Sequence, residues 1–271
     1  MTSLDEDALK EALELNLEET TQEILSFIRK VVEDAGAAGV VVGLSGGVDS
    51  SVTATLCAQA LGGSRVLGVI MPTTFTPVED IKDAEELAER LGIRTERINI
   101  DSICDAFFRE LQIDPNDLKR KIPIANIRAR IRMVILYYYA NLHNYLVAGT
   151  GDRSERLIGY FTKYGDGGTD FLPIGHLYKT QVRKLATHLH IPRKIAYKPS
   201  SPQLYPGHRA TDEIPLDYDQ LDPILVGLFD LHLTPKEVSQ LTKIPIQTIQ
   251  ELIRRFKGSQ HKRETPPIIK T

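Results

Sequence analysis

The sequence predicts an α/β protein: a doubly wound parallel sheet with flanking helices, followed by a C-terminal helical extension. Three observations carry that reading. Short β-branched runs alternate with stretches of helical period through the first half of the chain. One of these runs, Val40-Val41-Val42, ends in the glycine turn Gly43-Leu44-Ser45-Gly46-Gly47 and passes straight into an apolar-periodic stretch. From Asp217 to Phe256 the pattern is helical, with no strand between. Strands separated by helices build βαβ units, whose parallel sheet is covered on both faces.

In chain order, Glu18 to Asp34 is an amphipathic helix ending near Gly36, and Val40 to Leu44 is the first strand. Val52 to Leu61 is a helix and Val66 to Met71 the second strand. Glu79 to Leu91 is a helix stopped by Gly92, and Thr95 to Ile100 is the third strand. Asp101 opens a helix through about Leu111. Ala125 to Asn141 is a long helix, and Tyr145 to Ala148 the fourth strand. The chain then changes character. Tyr160 to Leu172 is glycine-rich and polar, and Ile191 to Pro215 is rich in Pro, Ser and Gly. Loops this long in a compact chain are usually functional, often as lids, here expected over residues 160–172 and 200–215.

With 271 residues, 42% of them hydrophobic and 25% charged, the chain suits one large domain over 1–265. A formal net charge of -3 gives no drive toward nucleic acid or anionic lipid. The N-terminus is acidic (Asp5, Glu6, Asp7, Glu11, Glu14), and no apolar run approaches a membrane span. A cytoplasmic protein with no nucleic-acid or membrane partner is expected. Cys57 and Cys104 lie in helical apolar contexts and read as buried thiols of a reduced compartment.

The strand–glycine loop–helix junction is an anion site in the making. Gly46 and Gly47 let the backbone approach a phosphate, and free N–H groups plus the helix dipole favour negative charge. Ser45, Ser50 and Ser51 add hydroxyls, and Asp49 offers a hard oxygen for Mg²⁺. Neither a Walker A ending nor a G-x-G-x-x-G pattern is present. A second cluster begins at Gly149-Thr150-Gly151-Asp152-Arg153-Ser154-Glu155, at the end of the fourth strand. Ligands bind at the carboxyl ends of strands in such sheets, so the two loops are expected to face one cleft. Glu155 would join Asp49 there as a cation ligand.

The Ser-Gly-Gly-Val-Asp-Ser wording at 45–50 resembles the phosphate loop of the N-type ATP pyrophosphatases. The run Gly159-Tyr160-Phe161-Thr162-Lys163-Tyr164-Gly165-Asp166-Gly167-Gly168, with Leu177 to Arg183, resembles the NAD synthetases more specifically. So do Asn126 to Met133, Lys198-Pro199-Ser200-Ser201, Thr211-Asp212-Glu213 and His261-Lys262-Arg263; the likeness spans about residues 20 to 265. It implies an adenine nucleotide alpha hydrolase-like, Rossmann-like fold, Mg²⁺, and substrates ATP, deamido-NAD and ammonia. It implies ATP contacts from Gly43, Leu44, Ser45, Gly46, Gly47, Val48, Asp49, Ser50, Thr150, Lys179 and Ser201, with Ser45 and Lys179 serving the chemistry. Asp49 and Glu155 match metal ligands, and Arg130, Lys163, Asp170, His261 and Lys262 match deamido-NAD contacts, with Arg130 and the His261-Lys262 pair expected from different subunits of a homodimer.

In that reading the nicotinic carboxylate attacks the α-phosphorus of ATP, pyrophosphate leaves, and ammonia displaces AMP from the adenylylated intermediate. The chain has no room for the amidase domain of glutamine-using relatives. Free ammonia, or ammonia from a separate glutaminase subunit, is therefore the expected donor.

Three further expectations come from spacing and wording. Arg128 and Arg132 share a helix face, while Arg130 lies about 200° away and is preferred as the ligand contact. A solvated or salt-bridged face is expected for at least one of Arg128 and Arg132. Ser201-Pro202-Gln203-Leu204 and Tyr205 to Ala210 depart from the commoner family wording, leaving His208 as a neutral loop residue or a phosphate contact. Thr234 to Phe256 imitates a helix-turn-helix DNA reader, but its charge and its Ile246-Gln247-Thr248-Ile249 start favour a hairpin, over 217–257, that packs on the core and delivers the basic tail. His188 and His190, on opposite faces of one helix, are not expected to hold a metal.

Overall fold

The computed structural model describes residues 6–115 and 117–269. Asp5, one of the acidic N-terminal residues, and the start of the expected 1–265 domain lie outside the described residues. Helices α1 (Glu6–Glu11) and α2 (Leu17–Asp34) lead into β1 (Gly39–Gly43). There follow α3 (Val48–Leu61), β2 (Val66–Ile70), α4 (Val78–Arg90), β3 (Arg94–Arg97), α5 (Asp101–Glu110), α6 (Lys121–His143) and β4 (Tyr145–Val147). The remainder is helical: α7 (Arg153–Ile158), α8 (Lys179–His188), α9 (Arg193–Ala196), α10 (Tyr218–Phe229), α11 (Pro235–Thr242), α12 (Ile246–Gly258) and α13 (Gln260–Arg263).

The strands form one parallel sheet in the order β3-β2-β1-β4. Alternation along each strand feeds two cores. Val40 and Val42 of β1, with Val66 and Ile70 of β2, pack beneath α2, α3 and α8. Val41, Leu67, Val69 and Val147 point the other way, toward α5 and α6. Burial on both faces is why these strands read as unbroken apolar runs. A third core joins α1 to α10, α11 and α12 through Leu9, Leu221, Ile224, Val238 and Ile249.

That third core explains the helix-turn-helix imitation. Ile249 and Leu252 of α12 are buried, so the helix that would read bases instead packs inward. Thr234 and Glu237 close a reciprocal cap at the start of α11. The hairpin delivers α13, with His261 and Lys262, against residues 156–163.

Local boundaries differ from the sequence reading in three informative places. Helix α3 begins at Val48, not Val52, because Gly47 is extended and caps it directly; Asp49 and Ser50 therefore sit in its first turn. Helix α6 begins at Lys121 because Pro123 falls in its first turn, where its missing N–H costs nothing. His190 is not on the helix with His188: it follows α8 at φ +57°, a left-handed turn residue. Cys57 and Cys104 are buried free thiols, and burial pushes the Cys57 thiol up to about 12.

Candidate active site

Strand order reverses between β1 and β4: the chain winds outward from β1 to β2 and β3, then returns to β1's other edge with β4. Such a switch point leaves a crevice beyond the strand ends. Here it is a cavity of about 400 Å³, into which the loops after β1 and β4 both open. Gly43, Leu44, Ser45, Gly47, Val48, Asp49 and Ser50 line it from one strand, and Thr150 and Glu155 from the other. Ser201 and Lys262 close it from the later loops.

The glycine loop is shaped by sterics. Gly46 has φ +74°, and a Cβ there would meet the Asp80 carbonyl oxygen at 2.1 Å. No other residue fits against the start of α4 at this point. The hydroxyls of Ser50 and Ser51 donate to the Gly47 carbonyl at 3.1 and 2.8 Å, bracing the start of α3. The Ser45 amide in turn donates to Ser50 Oγ at 3.3 Å.

The two strand ends meet over a buried lysine. Lys179 Nζ lies 2.7 Å from Asp49, 2.9 Å from Asp152 and 3.0 Å from Glu155, with no exposed side-chain surface. Burial opposes its charge, but Asp152, Asp49 and Glu155 outweigh that and hold the ammonium above its usual range. Burial pushes the Asp152 carboxyl up to about 6, against the pull of Lys179. Glu155 is raised well above the usual carboxylate range, by burial first and the Asp152 charge second. Asp152 also caps α7, accepting the Glu155 amide at 2.8 Å. Ser154 completes the support, accepting the Lys179 amide at 2.9 Å and donating to Asp222 at 2.6 Å.

Asp49 and Glu155 fit a hard cation. They come from separate strand ends, each keeps about a fifth of its side chain exposed, and Asp49 Oδ1 is buried with no hydrogen-bond partner among the described residues. Two carboxylates beside a phosphate loop suit Mg²⁺, which completes its shell with phosphate oxygens and water.

Several expected residues stand elsewhere. Lys179 does not line the cavity; it lies behind Asp49 and Glu155, holding both. Gly46 is turned toward α4. Of the dinucleotide set, only Lys262 reaches the cavity, donating to the Gly159 and Phe161 carbonyls at 2.8 Å. Lys163 donates to the His261 carbonyl at 2.6 Å, and Arg130 to the Lys163 carbonyl at 3.3 Å, forming a basic cluster away from the cavity lining. Asp170 accepts the Val147 amide at 2.7 Å and the Tyr137 hydroxyl at 3.0 Å.

The solvated or salt-bridged face expected for Arg128 or Arg132 is corrected. Arg128 and Arg132 do oppose Arg130, but theirs is the inward face and Arg130's the exposed one. Arg132 lines the cavity and donates to the Met71 carbonyl, its charge disfavoured by burial to about 10. Arg128 donates to the Leu204 carbonyl at 2.7 Å and lies over Phe75 and Phe108. Helical periodicity separates the faces without saying which one meets the core. His208 is a buried residue whose Nε2 faces Glu213 at 3.0 Å and the Tyr160 hydroxyl at 3.2 Å, its ring stacked on Tyr205. Asp152 was passed over in the sequence, although an Asp three residues before Glu155 carries the signal of a helix cap.

Comparison with known proteins gives matches along nearly the whole chain. A family model described as NAD synthase matches residues 20–266. An NH(3)-dependent NAD(+) synthetase of Hyperthermus butylicus is 52% identical over 260 residues, 96% of this chain and 93% of the relative. The structure resembles an NMN synthetase from Francisella tularensis (TM-score 0.82, 30% identity, 95% of this chain and 100% of that one). It also resembles an NH3-dependent NAD synthetase from Campylobacter jejuni subsp. jejuni (TM-score 0.78, 32% identity, again 95% and 100%).

Proposed function

The chain belongs to the NAD synthase family, and from that premise we propose that it amidates deamido-NAD with ammonia, splitting ATP to AMP and pyrophosphate. The observation that carries this reading is the meeting of Asp49 and Glu155 beside the phosphate loop, with Asp49 Oδ1 lacking a hydrogen-bond partner among the described residues. The ATP phosphates lie on the Gly43–Ser50 loop, where N–H groups at the start of α3 take up their charge. Mg²⁺, when bound by Asp49 and Glu155, supplies Lewis-acid neutralisation of the same phosphates.

The nicotinic carboxylate oxygen forms a bond to the α-phosphorus, and the bond to the bridging oxygen of pyrophosphate breaks. Ammonia then bonds to the activated carbonyl carbon and sheds a proton, and AMP departs with the electron pair of the broken C–O bond. Lys179 keeps Asp49 and Glu155 aimed into the cavity, a positioning role in place of the direct phosphate contact expected from the sequence. The segment from Tyr205 to Asp212, held down through His208 and through the grip of Arg128 on the adjoining Leu204 carbonyl, shields the intermediate from water. Lys262 reaches the dinucleotide within its own subunit. Arg130, Lys163, Asp170 and His261 serve it near a homodimer boundary formed by the outer face of α6.

The test is a product assay with purified protein, MgATP, ammonium and either deamido-NAD or nicotinate mononucleotide. Equal amounts of NAD and AMP, abolished in Asp49→Ala, are expected with deamido-NAD. Preference for the mononucleotide would move the substrate toward that of the Francisella relative. Absence of AMP with both acceptors would sink the proposal.

A further inference from the structure

Lys198 opens the irregular segment between α9 and α10, and its ammonium group reaches three acceptors at once. Nζ lies 2.9 Å from the Gly46 carbonyl, 2.7 Å from Asp80 Oδ1 and 2.7 Å from Asp83 Oδ2. An ammonium has three N–H donors, so none is left for a phosphate although Lys198 borders the cavity. What it grips matters more. Gly46 belongs to the phosphate loop, whereas Asp80 and Asp83 belong to α4, and Gln203 of the same segment also donates to Asp80.

The Gly46 carbonyl and the Gly47 amide are two ends of one peptide unit. That unit is planar and trans, so its C=O and N–H point to opposite sides. Drawing the carbonyl toward α4 aims the Gly47 N–H back toward the cavity, which Gly47 lines and Gly46 does not. Among the described residues that N–H donates to the Ser45 hydroxyl, at a long 3.3 Å. The alternative orientation is open to a glycine pair more than to any other, since neither residue carries a Cβ to resist a peptide flip.

We infer that Lys198 is a positioning residue for ATP: it locks the Gly46–Gly47 peptide so that the Gly47 N–H faces the phosphates, and it makes that lock depend on the seating of the 198–217 segment. The inference rests on the ATP site proposed above. Lys194 supplies an internal control, because it reaches Asp83 at 2.5 Å without touching the loop.

The experiment measures binding of inorganic pyrophosphate and MgATP by calorimetry, with steady-state kinetics, for the wild type, Lys198→Met, Lys194→Met and Lys198→Met/Asp83→Asn. Losing an aimed N–H to a charged phosphate predicts about tenfold weaker binding and a tenfold higher KM for ATP in both Lys198 variants. The KM for deamido-NAD should stay near the wild-type value in both Lys198 variants, and Lys194→Met should bind normally. Wild-type ATP affinity in Lys198→Met would overturn the inference. So would full recovery in the double variant, which would trace the loss to unbalanced carboxylates on α4. A wild type that binds neither ligand would overturn the ATP site itself.

Discussion

Lys179 and Asp152 stand 2.9 Å apart, neither with any exposed side-chain surface. This pair, from the first turn of α8 and the cap of α7, ties the helical half of the molecule to the end of β4. It also fixes where Asp49 and Glu155 can be, since both share the same ammonium.

Removing that ammonium should be costly. Lys179→Met leaves three carboxylates converging on an apolar side chain, and breaking a buried pair on one side typically costs about 3–5 kcal/mol. Urea denaturation without divalent metal should show a loss of that size. Added Mg²⁺ should then stabilise the variant more than the wild type, because a cation at Asp49 and Glu155 takes over the missing charge. An equal Mg²⁺ effect on both proteins would mean that the metal does not use these carboxylates.

Arg128 should control the mobility of the lid. Its guanidinium donates to the Leu204 carbonyl at 2.7 Å between two phenylalanine rings. A hydrogen bond from a charged donor is worth about 1.5–3 kcal/mol, so Arg128→Met should raise the open population of the lid roughly tenfold or more. Limited proteolysis within residues 198–217 would report it as faster nicking at unchanged global stability. Unchanged nicking would leave Arg128 as packing alone.

The elements and the glycine loop between β1 and α3 were legible because both depend on local pattern. Strands buried on two faces give unbroken apolar runs, and a glycine loop running into a helix has few other uses. The joining of Asp49, Asp152 and Glu155 through Lys179 was not legible, because the lysine lies 130 residues from Asp49 and its burial is a property of packing. Nothing local in the sequence therefore showed that Lys179 gathers three carboxylates. The inward turn of Arg128 and Arg132 escaped the sequence for a related reason: α6 is apolar on several sides, so its sequence does not announce which face meets the cavity.

Asp83 gives a pH-dependent signature. It is buried, and although burial opposes its charge, Lys194 and Lys198 hold its carboxyl below the usual 3.8. A depressed carboxylate stabilises the fold above its unfolded pKa and loses that contribution as pH falls through the folded value. Asp83→Asn should therefore cost about 1–2 kcal/mol near neutral pH, with the gap to wild type closing below about pH 4. Denaturant midpoints from about pH 7 down to 3 would show it. A gap that is constant across that range would assign the loss to altered packing.

The outer face of α6 carries the last expectation. Val134, Tyr138 and Leu142 recur at four-residue spacing and are 61%, 60% and 58% exposed, a stripe along one side of the helix. Arg130 lies one turn before the stripe, and Tyr137, which holds Asp170, lies beside it. Two copies meeting through this face would bury the stripe and bring the basic cluster of each toward its partner. A charge at its centre then has no solvent to enter, so Tyr138→Glu should shift the protein from dimer to monomer in sedimentation at micromolar concentration. Its folded monomer should bind ATP normally, because Val134, Tyr138 and Leu142 do not line the cavity that the phosphate loop borders, while its KM for deamido-NAD should rise. Monomeric wild type at the same concentration would refute the dimer. A dimer untouched by Tyr138→Glu would move the interface to another face.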